Sequence, residues 1–172
     1  MLEIRDLGRM EYEDAWNLQH SIFDVMVENK RKGNRNSNET VLLVEHSPVI
    51  TLGRHARKDN VLFSSDMLVK QGVRIFEIER GGDVTYHGPG QLVAYPLMDL
   101  EIHKMGIKKY MNMLEEVVIR TLAHYEVRGE RVEGASGVWI GAGTERERKI
   151  CAVGVKCSRF CTMHGLALNI NT

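Results

Sequence analysis

The stretch that most constrains the fold runs from Arg80 to Pro96 and reads RGGDVTYHGPGQLVAYP. Five of its first eleven residues are glycine or proline, although Val84, Tyr86 and Tyr95 are strand formers. Glycine adopts backbone angles closed to other residues and lets a ligand approach the main chain closely. We therefore expect a short strand between two glycine bends, forming one wall of a site for an extended, apolar ligand. A glycine-rich bulge at a sheet edge explains the same residue types equally well.

The rest of the chain mixes two long helical patterns with many short strands. Apolar residues recur at helical spacing over 10–29 and 107–125, and Ser64 or Ser65 is placed to cap a short helix ending at Lys70. Residues 30–39 are polar and predict a mobile loop. The predicted strands are LEIRDLG, TVLLVEHSPVITLGR with a break at its Ser-Pro, VRIFEIE, DVTYH, LVAYPLMDL, GVWIG, KICAVGVKC and HGLALNIN. This order favours one α+β domain over residues 1–172, with a mixed β-sheet flanked by helices.

Composition excludes several classes of function. The 23 basic residues balance the 23 acidic ones, so no net field attracts nucleic acid or an anionic membrane. No apolar run approaches the roughly 20 residues of a membrane helix, and the mixed, acidic N-terminus resembles no signal peptide. The three cysteines are an odd number and give no disulfide framework. We expect a cytoplasmic protein, and a monomer because no exposed apolar stripe stands out.

Five motifs occur in an order that resembles a known family. RGGDVTYHGPGQLVAYP, EHSPVITLGR, GVWIG, RKICAVGVK and HGLALNIN together look like the lipoyl(octanoyl) transferases, of the lipoate biosynthesis protein B type. The resemblance runs from about Leu2 to Thr172 and implies the fold of the biotin/lipoate protein ligase catalytic domain. Ligases of the lipoate type carry a serine-glycine-glycine-glycine run where this chain has YHGPG, which resembles the transferase branch.

The resemblance implies an acyltransferase. Such enzymes move an octanoyl group from acyl carrier protein to a lysine of a lipoyl domain, through a thioester on an enzyme cysteine. The acceptors would be the lipoyl domains of 2-oxoacid dehydrogenases and the glycine cleavage H protein. This is the first step of endogenous lipoate biosynthesis, and lipoyl synthase later adds the sulfurs. No ATP, metal or other cofactor is expected, because the acyl thioester is already activated.

The resemblance also implies the site residues. Lys149 corresponds to the lysine beside the nucleophile. Three segments would form the walls of the acyl tunnel, and they are Arg80, Gly81, Gly82, Asp83, Val84, Thr85, Tyr86 and His87; Ala152, Val153 and Gly154; and Gly165, Leu166 and Ala167. His87 and His164 are expected to hold the loops and to donate hydrogen bonds to the thioester carbonyl.

A lysine at position 149 suits this chemistry, because a neighbouring ammonium favours the thiolate form of a cysteine. After the thioester forms, the same lysine can help take a proton from the incoming amine. Strand alternation predicts that Lys149 and Cys151 point to the same face. By residue type alone Lys149 would be an ordinary surface lysine, and only the resemblance makes it a catalytic candidate.

The sequence departs from the family at the nucleophile. The family's acyl-carrying cysteine follows the HGLALN motif, and this sequence stops at Thr172 before that position. We expect a C-terminal segment that carries the cysteine. Two other interpretations stay open: a substitute nucleophile at Cys161, near His164, and a zinc site built from Cys151, Cys157, Cys161 and His164.

Two other functions stay open. An ATP-dependent lipoate or biotin ligase would use Lys149 for the nucleotide, and a non-catalytic acyl-binding module would need no cysteine. Carrier proteins are acidic, so basic clusters are candidate docking sites, although solvated surface is the simpler explanation for each. Arg54 is a candidate partner for a buried carboxylate or for the phosphopantetheine arm. The clusters are Arg54, Arg57 and Lys58; Lys104, Lys108 and Lys109; and Arg148, Lys156 and Arg159.

Overall fold

The computed structural model describes residues 2–34 and 38–172. Within them the chain forms ten strands and three α-helices, with a short 3-10 helix at Lys58–Asn60. The strands are β1 (Leu2–Met10), β2 (Glu39–His46), β3 (Val49–Leu52), β4 (Arg74–Glu77), β5 (Val84–His87), β6 (Gln91–Leu97), β7 (Glu130–Val132), β8 (Ala135–Ile140), β9 (Arg148–Ser158) and β10 (Cys161–Asn169). The helices are α1 (Tyr12–Arg31), α2 (Ser65–Lys70) and α3 (Ile107–His124).

The strands form two sheets. The large sheet has the order β1-β2-β6-β10-β9-β8-β7, in which β1 pairs with β2 in parallel and the other pairs are antiparallel. The small sheet has the order β4-β3-β5, with β3 parallel to β4 and antiparallel to β5. The prediction of an α+β fold with a mixed sheet is confirmed.

One long helix covers each face of the large sheet. Alternation along β6 sends Val93, Tyr95 and Leu97 into the core beneath α1, while Ala94 lies in the core beneath α3. The helices contribute residues at helical spacing, such as Phe23 from α1. The two helices therefore cover both faces of the large sheet, and the small sheet packs beside it.

Most predicted elements are confirmed. Both long helices start within two residues of the expected positions, and Ser64 caps α2 by accepting a hydrogen bond from the backbone N–H of Met67. The break after His46 separates β2 from β3, as the Ser-Pro pair predicts. Strand β7 was not predicted, because three residues give too short a pattern. The predicted loop over 30–39 lies partly outside the described residues, and its first two residues instead end α1.

The predicted common face for Lys149 and Cys151 is wrong. The register between β8 and β9 shifts, so that Val138 pairs with Cys151 whereas the next residue, Trp139, pairs with Lys149. This β-bulge adds one residue on β9 and reverses the facing beyond it. Cys151 is fully buried in the core beneath α3, while Lys149 is exposed.

Among the described residues, no helix combines the length and the apolar character needed to cross a membrane.

Candidate active site

A cavity of about 340 Å³ is lined by both sheets. The bend before β5 and β5 itself contribute one side, and β6, β9 and β10 contribute the other. Every residue that the resemblance assigned to the site lines this cavity except Gly81. The lining includes Lys149, Arg80, Gly82, Asp83, Val84, Thr85, Tyr86, His87, Ala152, Val153, Gly154, Gly165, Leu166 and Ala167.

Gly81 has a structural contact instead. Its backbone N–H donates to the carbonyl of Val155 at 3.0 Å, which ties the glycine bend to β9.

Several residues that line the cavity were not predicted from the sequence. Val93 and Tyr95 alternate along β6, and this alternation could have placed both side chains on the cavity face. Nothing in the sequence indicates that the start of α1 lies at the cavity. The missed residues are Tyr12, Ile78, Gln91, Val93, Tyr95, Ser136 and Asn169.

Arg80 is buried and holds the wall together. The two N–H groups of its Nη2 are shared among four acceptors: the carbonyl and hydroxyl of Thr51, both at 3.0 Å, and the Thr85 hydroxyl and the Asp83 carbonyl, both at 2.9 Å. Burial lowers the pKa of the guanidinium, and none of the described carboxylates forms an ion pair with it. Arg80 therefore fastens the glycine bend to β3 and leaves a positive charge beneath the cavity.

His87 is a neutral hydrogen-bonding residue. Its Nδ1 lies 2.7 Å from Oε1 of Gln91, whose Nε2 donates to the Tyr86 carbonyl at 3.2 Å and to Oδ1 of Asn169 at 2.9 Å. This network requires that Nδ1 carry the proton and donate to Gln91. Burial lowers the pKa of His87 to about 4, so the ring is uncharged at neutral pH.

Aromatic rings close the cavity beneath α1. Tyr95 donates from Oη to Nε2 of His46 at 2.8 Å, and Nδ1 of His46 donates to the Met10 carbonyl at 2.9 Å. The ring of Tyr12 stacks on His87 with centroids 6.1 Å apart. This end of the cavity is therefore built from rings with polar edges, and not from aliphatic side chains alone.

Lys149 lies at the cavity with its ammonium over an aromatic ring. Nζ is 4.8 Å from the centroid of Trp139, which is a cation–π distance. The bulge on β9 sets this pairing, because Trp139 is opposite Lys149 in the register. The charge is held at a defined place by the ring, and no described carboxylate forms an ion pair with it.

None of the three cysteines lines the cavity. Burial raises the pKa of Cys151 to about 12 and that of Cys161 to about 11, and it also raises the pKa of Cys157. A raised pKa keeps these thiols protonated and weakly nucleophilic. No group of three or more His, Cys, Asp or Glu side chains in the described part of the chain is placed to hold a metal ion. The geometry thus favours neither Cys161 as a substitute nucleophile nor the zinc interpretation.

Several glycines at the cavity allow close packing of backbone. A Cβ at Gly154 would lie 2.8 Å from the Gly81 carbonyl oxygen, and one at Gly165 would lie 2.2 Å from that of Ala94. A Cβ at Gly53 would lie 2.4 Å from the carbonyl oxygen of Gly82, whose own φ is +97°. Of these three contacts, the one between Gly154 and Gly81 joins the glycine bend to the large sheet, whereas Gly165 packs within the large sheet and Gly53 packs beside the small one. The sequence suggested contact with a ligand as the purpose of these glycines.

The fold defines the class of protein first. A bi-partite lipoate protein ligase from Thermoplasma acidophilum matches with a TM-score of 0.67 at 17% identity, over 99% of this chain and 61% of that one. Lipoate-protein ligase A bound with ATP matches with a TM-score of 0.67 at 15% identity, over 99% and 66%. The chain spans less than two thirds of both solved chains. The architecture is that of the lipoate protein ligases.

The sequence then gives the family. Residues 11–172 match the Lipoyl protein ligase A/B catalytic domain, and the chain belongs to that family. Relatives named octanoyltransferase include those of Parabacteroides distasonis, 49% identical over 97% of this chain and 76% of the relative, and of Flavobacterium psychrophilum, 45% identical over 99% and 75%. The octanoyltransferase of Porphyromonas gingivalis is 49% identical over 98% of this chain, which spans 34% of that relative.

Proposed function

We propose that this chain transfers an octanoyl group from acyl carrier protein to a lysine of a lipoyl domain. One observation carries the proposal: a cavity lined by both sheets gathers nearly all of the residues that the octanoyltransferase resemblance assigned to the acyl site, with Lys149 among them. The relatives' name, octanoyltransferase, supports the same reaction. The acceptors would be the lipoyl domains of 2-oxoacid dehydrogenases and the glycine cleavage H protein.

The proposed chemistry has two acyl transfers. A thiolate attacks the carbonyl of the carrier thioester, and the carrier thiolate leaves and takes a proton from the Lys149 ammonium. The neutral Lys149 amine then accepts a proton from the acceptor lysine as that amine attacks the enzyme thioester, and the enzyme thiolate is released. Each step conserves its proton, and the reaction needs no ATP because the donor is already a thioester.

The thiol of this scheme is not assigned to Cys151, Cys157 or Cys161, since none of them lines the cavity. We propose a cysteine after Thr172, as the family resemblance implies. Asn169, near the end of β10, lines the cavity, and Asn169 and Lys149 both lie towards the same end of the β9–β10 pair, since Leu168 pairs with Cys151. A continuing chain would thus leave the sheet close to the lysine.

A basic loop supports an acidic carrier as the donor. Arg54 and Arg57 are exposed, and none of the described carboxylates forms an ion pair with either. The same loop is bonded to the cavity wall: the backbone N–H of Arg54 donates to the Arg80 carbonyl at 3.0 Å, and that of Arg57 to Oδ1 of Asp83 at 2.9 Å. A carrier bound here would lie next to the cavity.

The experiment supplies octanoyl-acyl carrier protein and a lipoyl domain in the absence of ATP, and the mass of the lipoyl domain is followed. A mass gain of one octanoyl group is expected. Transfer only from free octanoate with ATP would instead make the chain a ligase. A second mixture supplies free octanoate and ATP in place of the octanoyl-acyl carrier protein. Octanoate binding without transfer in both mixtures would make the chain an acyl-binding module. The full-length chain is used, so that any cysteine after Thr172 is present.

A further inference from the structure

Strand β1 forms one edge of the large sheet. It pairs with β2 on one side, and no other strand in the described part of the chain pairs with it. The strand is nine residues long, whereas β7 at the opposite edge of the sheet has three. A long sheet edge with unpaired backbone N–H and C=O groups can pair with a strand of another molecule. The edge of β1 is therefore a candidate interaction surface.

The first part of β1 is exposed on both faces of the sheet. Each residue of the segment 2–6 is exposed, and Ile4, the middle one, is 66% exposed. Strand alternation places Leu2 and Ile4 on one face and Glu3 and Arg5 on the other. From β1, the core beneath α1 takes in Leu7 and Met10, which follow this segment. The segment is thus attached to the molecule through β2 and leaves two apolar side chains in solvent.

A β-bulge limits the part of β1 that can pair regularly. The register with β2 shifts between Asp6 and Arg9, and Gly8 between them has a φ of +59°. A bulge bends the strand and interrupts the ladder of hydrogen bonds. The regular segment 2–6 is about 17 Å long at the rise of a strand.

The charges of this segment complement a second copy of it. Nη2 of Arg5 lies 2.7 Å from Oε2 of Glu3, and both side chains are exposed. In an antiparallel pair of two copies with Ile4 at the two-fold axis, each Glu3 lies opposite the partner's Arg5. Shifting the axis to either neighbouring residue instead places Glu3 opposite Glu3 or Arg5 opposite Arg5, and opposed like charges are destabilising. The charges therefore favour one register of self-pairing.

We propose that β1 pairs with β1 of a second copy of this chain, antiparallel and centred on Ile4. The two large sheets then form one continuous sheet across a two-fold axis. The two Glu3–Arg5 ion pairs meet as four alternating charges on one face, and the two Ile4 side chains lie opposite each other on the other face. The paired segment is short compared with a standard protein interface, so the dimer is weak and depends on concentration. None of these residues lines the acyl cavity, so the dimer is independent of the proposed function.

Sedimentation velocity of the full-length chain at low salt, from about 5 to 500 μM, spans the affinities expected of a weak dimer. The wild-type protein should shift from the monomer mass to the dimer mass over this range. Glu3→Arg and Arg5→Glu each place like charges opposite one another and should each stay monomeric. An equimolar mixture of the two variants should dimerise, because one strand is then basic and the other acidic at both positions.

Glu28→Arg is the matched control. Glu28 forms an exposed ion pair with Arg31 on α1, with 3.5 Å between the charged atoms, and its reversal changes the net charge as much as Glu3→Arg does. This variant should dimerise like the wild-type protein. Higher salt should weaken the wild-type dimer, because exposed charges are screened. Thermal unfolding at the wild-type temperature shows that each variant is folded.

Three results would overturn the proposal. A wild-type protein that stays monomeric at every concentration, as the sequence led us to expect, would exclude the β1 dimer. Dimers of Glu3→Arg and Arg5→Glu with wild-type strength would place the interface on another surface. A mixture of the two variants that stays monomeric would exclude the register centred on Ile4.

Discussion

Among the described residues, the ring of Trp139 is the group that holds the Lys149 ammonium in place. The distance of 4.8 Å from Nζ to the ring centroid makes Trp139 a positioning residue for the lysine. Trp139→Leu should lower kcat for octanoyl transfer about tenfold with little change in KM, because binding of the acyl chain does not use this contact. The measurement is steady-state transfer to a lipoyl domain.

Two further variants make this prediction specific. Trp139→Phe keeps a ring face and should retain most of the activity. In a Lys149→Gln background, Trp139→Leu should have no further effect, because the two residues act as one unit. A tenfold loss that persists in the Lys149→Gln background would mean that Trp139 acts through the fold of β8 and not through the lysine.

Arg80 shows why the place of a residue was easier to predict from the sequence than its role. The sequence indicated a fixed cation in a ligand-binding wall, and the residue does line the cavity. Its Nη2 donates to Thr51 and Thr85, which are paired across β3 and β5. That pairing joins positions 34 residues apart, so no local pattern reveals it. Hydrogen-bond partners between strands depend on register, which the sequence does not state.

At the scale of elements, the contact between the glycine bend and β9 determines the shape of the cavity. Gly154→Ala puts a Cβ 2.8 Å from the carbonyl oxygen of Gly81, a backbone atom that cannot rotate away. The two sheets must separate, which should cost about 1–3 kcal/mol of unfolding free energy and should weaken octanoate binding. Urea unfolding and calorimetry measure the two effects.

Gly81→Ala is the matched control for this contact. A Cβ at Gly81 would meet the Val155 carbonyl oxygen at 3.7 Å, which is ordinary van der Waals contact. Gly81 does not line the cavity, so octanoate binding should stay near the wild-type value. Equal losses from both variants would mean that the bend tolerates no side chain at all, and that close packing at Gly154 is not the specific cause.

The elements themselves were largely predictable, and their limits have a physical cause. Two amphipathic helices and the glycine-bounded strand β5 follow from local periodicity and turn chemistry. The bulge that separates Lys149 from Cys151 does not, because it arises where β8 meets β9 and leaves the apolar pattern of β9 unbroken. The family resemblance assigned Lys149 to the site, and Lys149 lines the cavity. Strand alternation wrongly predicted that Cys151 points to the same face as Lys149.

At the scale of the whole molecule, burial of neutral histidines makes stability depend on pH. Burial lowers the pKa of His87 to about 4, below its usual value near 6.5 in an unfolded chain. Between these values the unfolded state binds more protons than the folded state, so the contribution is fully present above pH 6.5 and is lost as the pH falls towards 4. The loss should reach roughly 3 kcal/mol for His87 at pH 4, and His164 should act in the same direction.

Urea unfolding at pH 7, 6, 5 and 4.5 measures this dependence. The slope of unfolding free energy against pH should be shallower in His87→Gln, because one proton is no longer taken up on unfolding. Glutamine can also bond to Gln91, so the variant keeps a polar partner for the network. An identical slope in wild-type protein and variant would show that His87 is not the group whose protonation opposes folding.

The basic loop that follows β3 extends the site to the surface of the molecule. Charge reversal at Arg54 and Arg57 should lower the rate of transfer from octanoyl-acyl carrier protein about tenfold at low salt, because both side chains are exposed and lie beside the cavity wall. The difference from the wild-type protein should shrink as salt rises, since exposed charges are screened over roughly 10 Å at 0.1 M. Octanoyl-pantetheine, a donor without charge, should be used at the wild-type rate.

The matched control reverses the charges of Lys108 and Lys109 on α3. Helix α3 packs on the face of the large sheet opposite to the face that α1 covers. Equal losses at both places would mean that net charge alone attracts the carrier, whereas a loss confined to the loop would make this loop the carrier's docking surface.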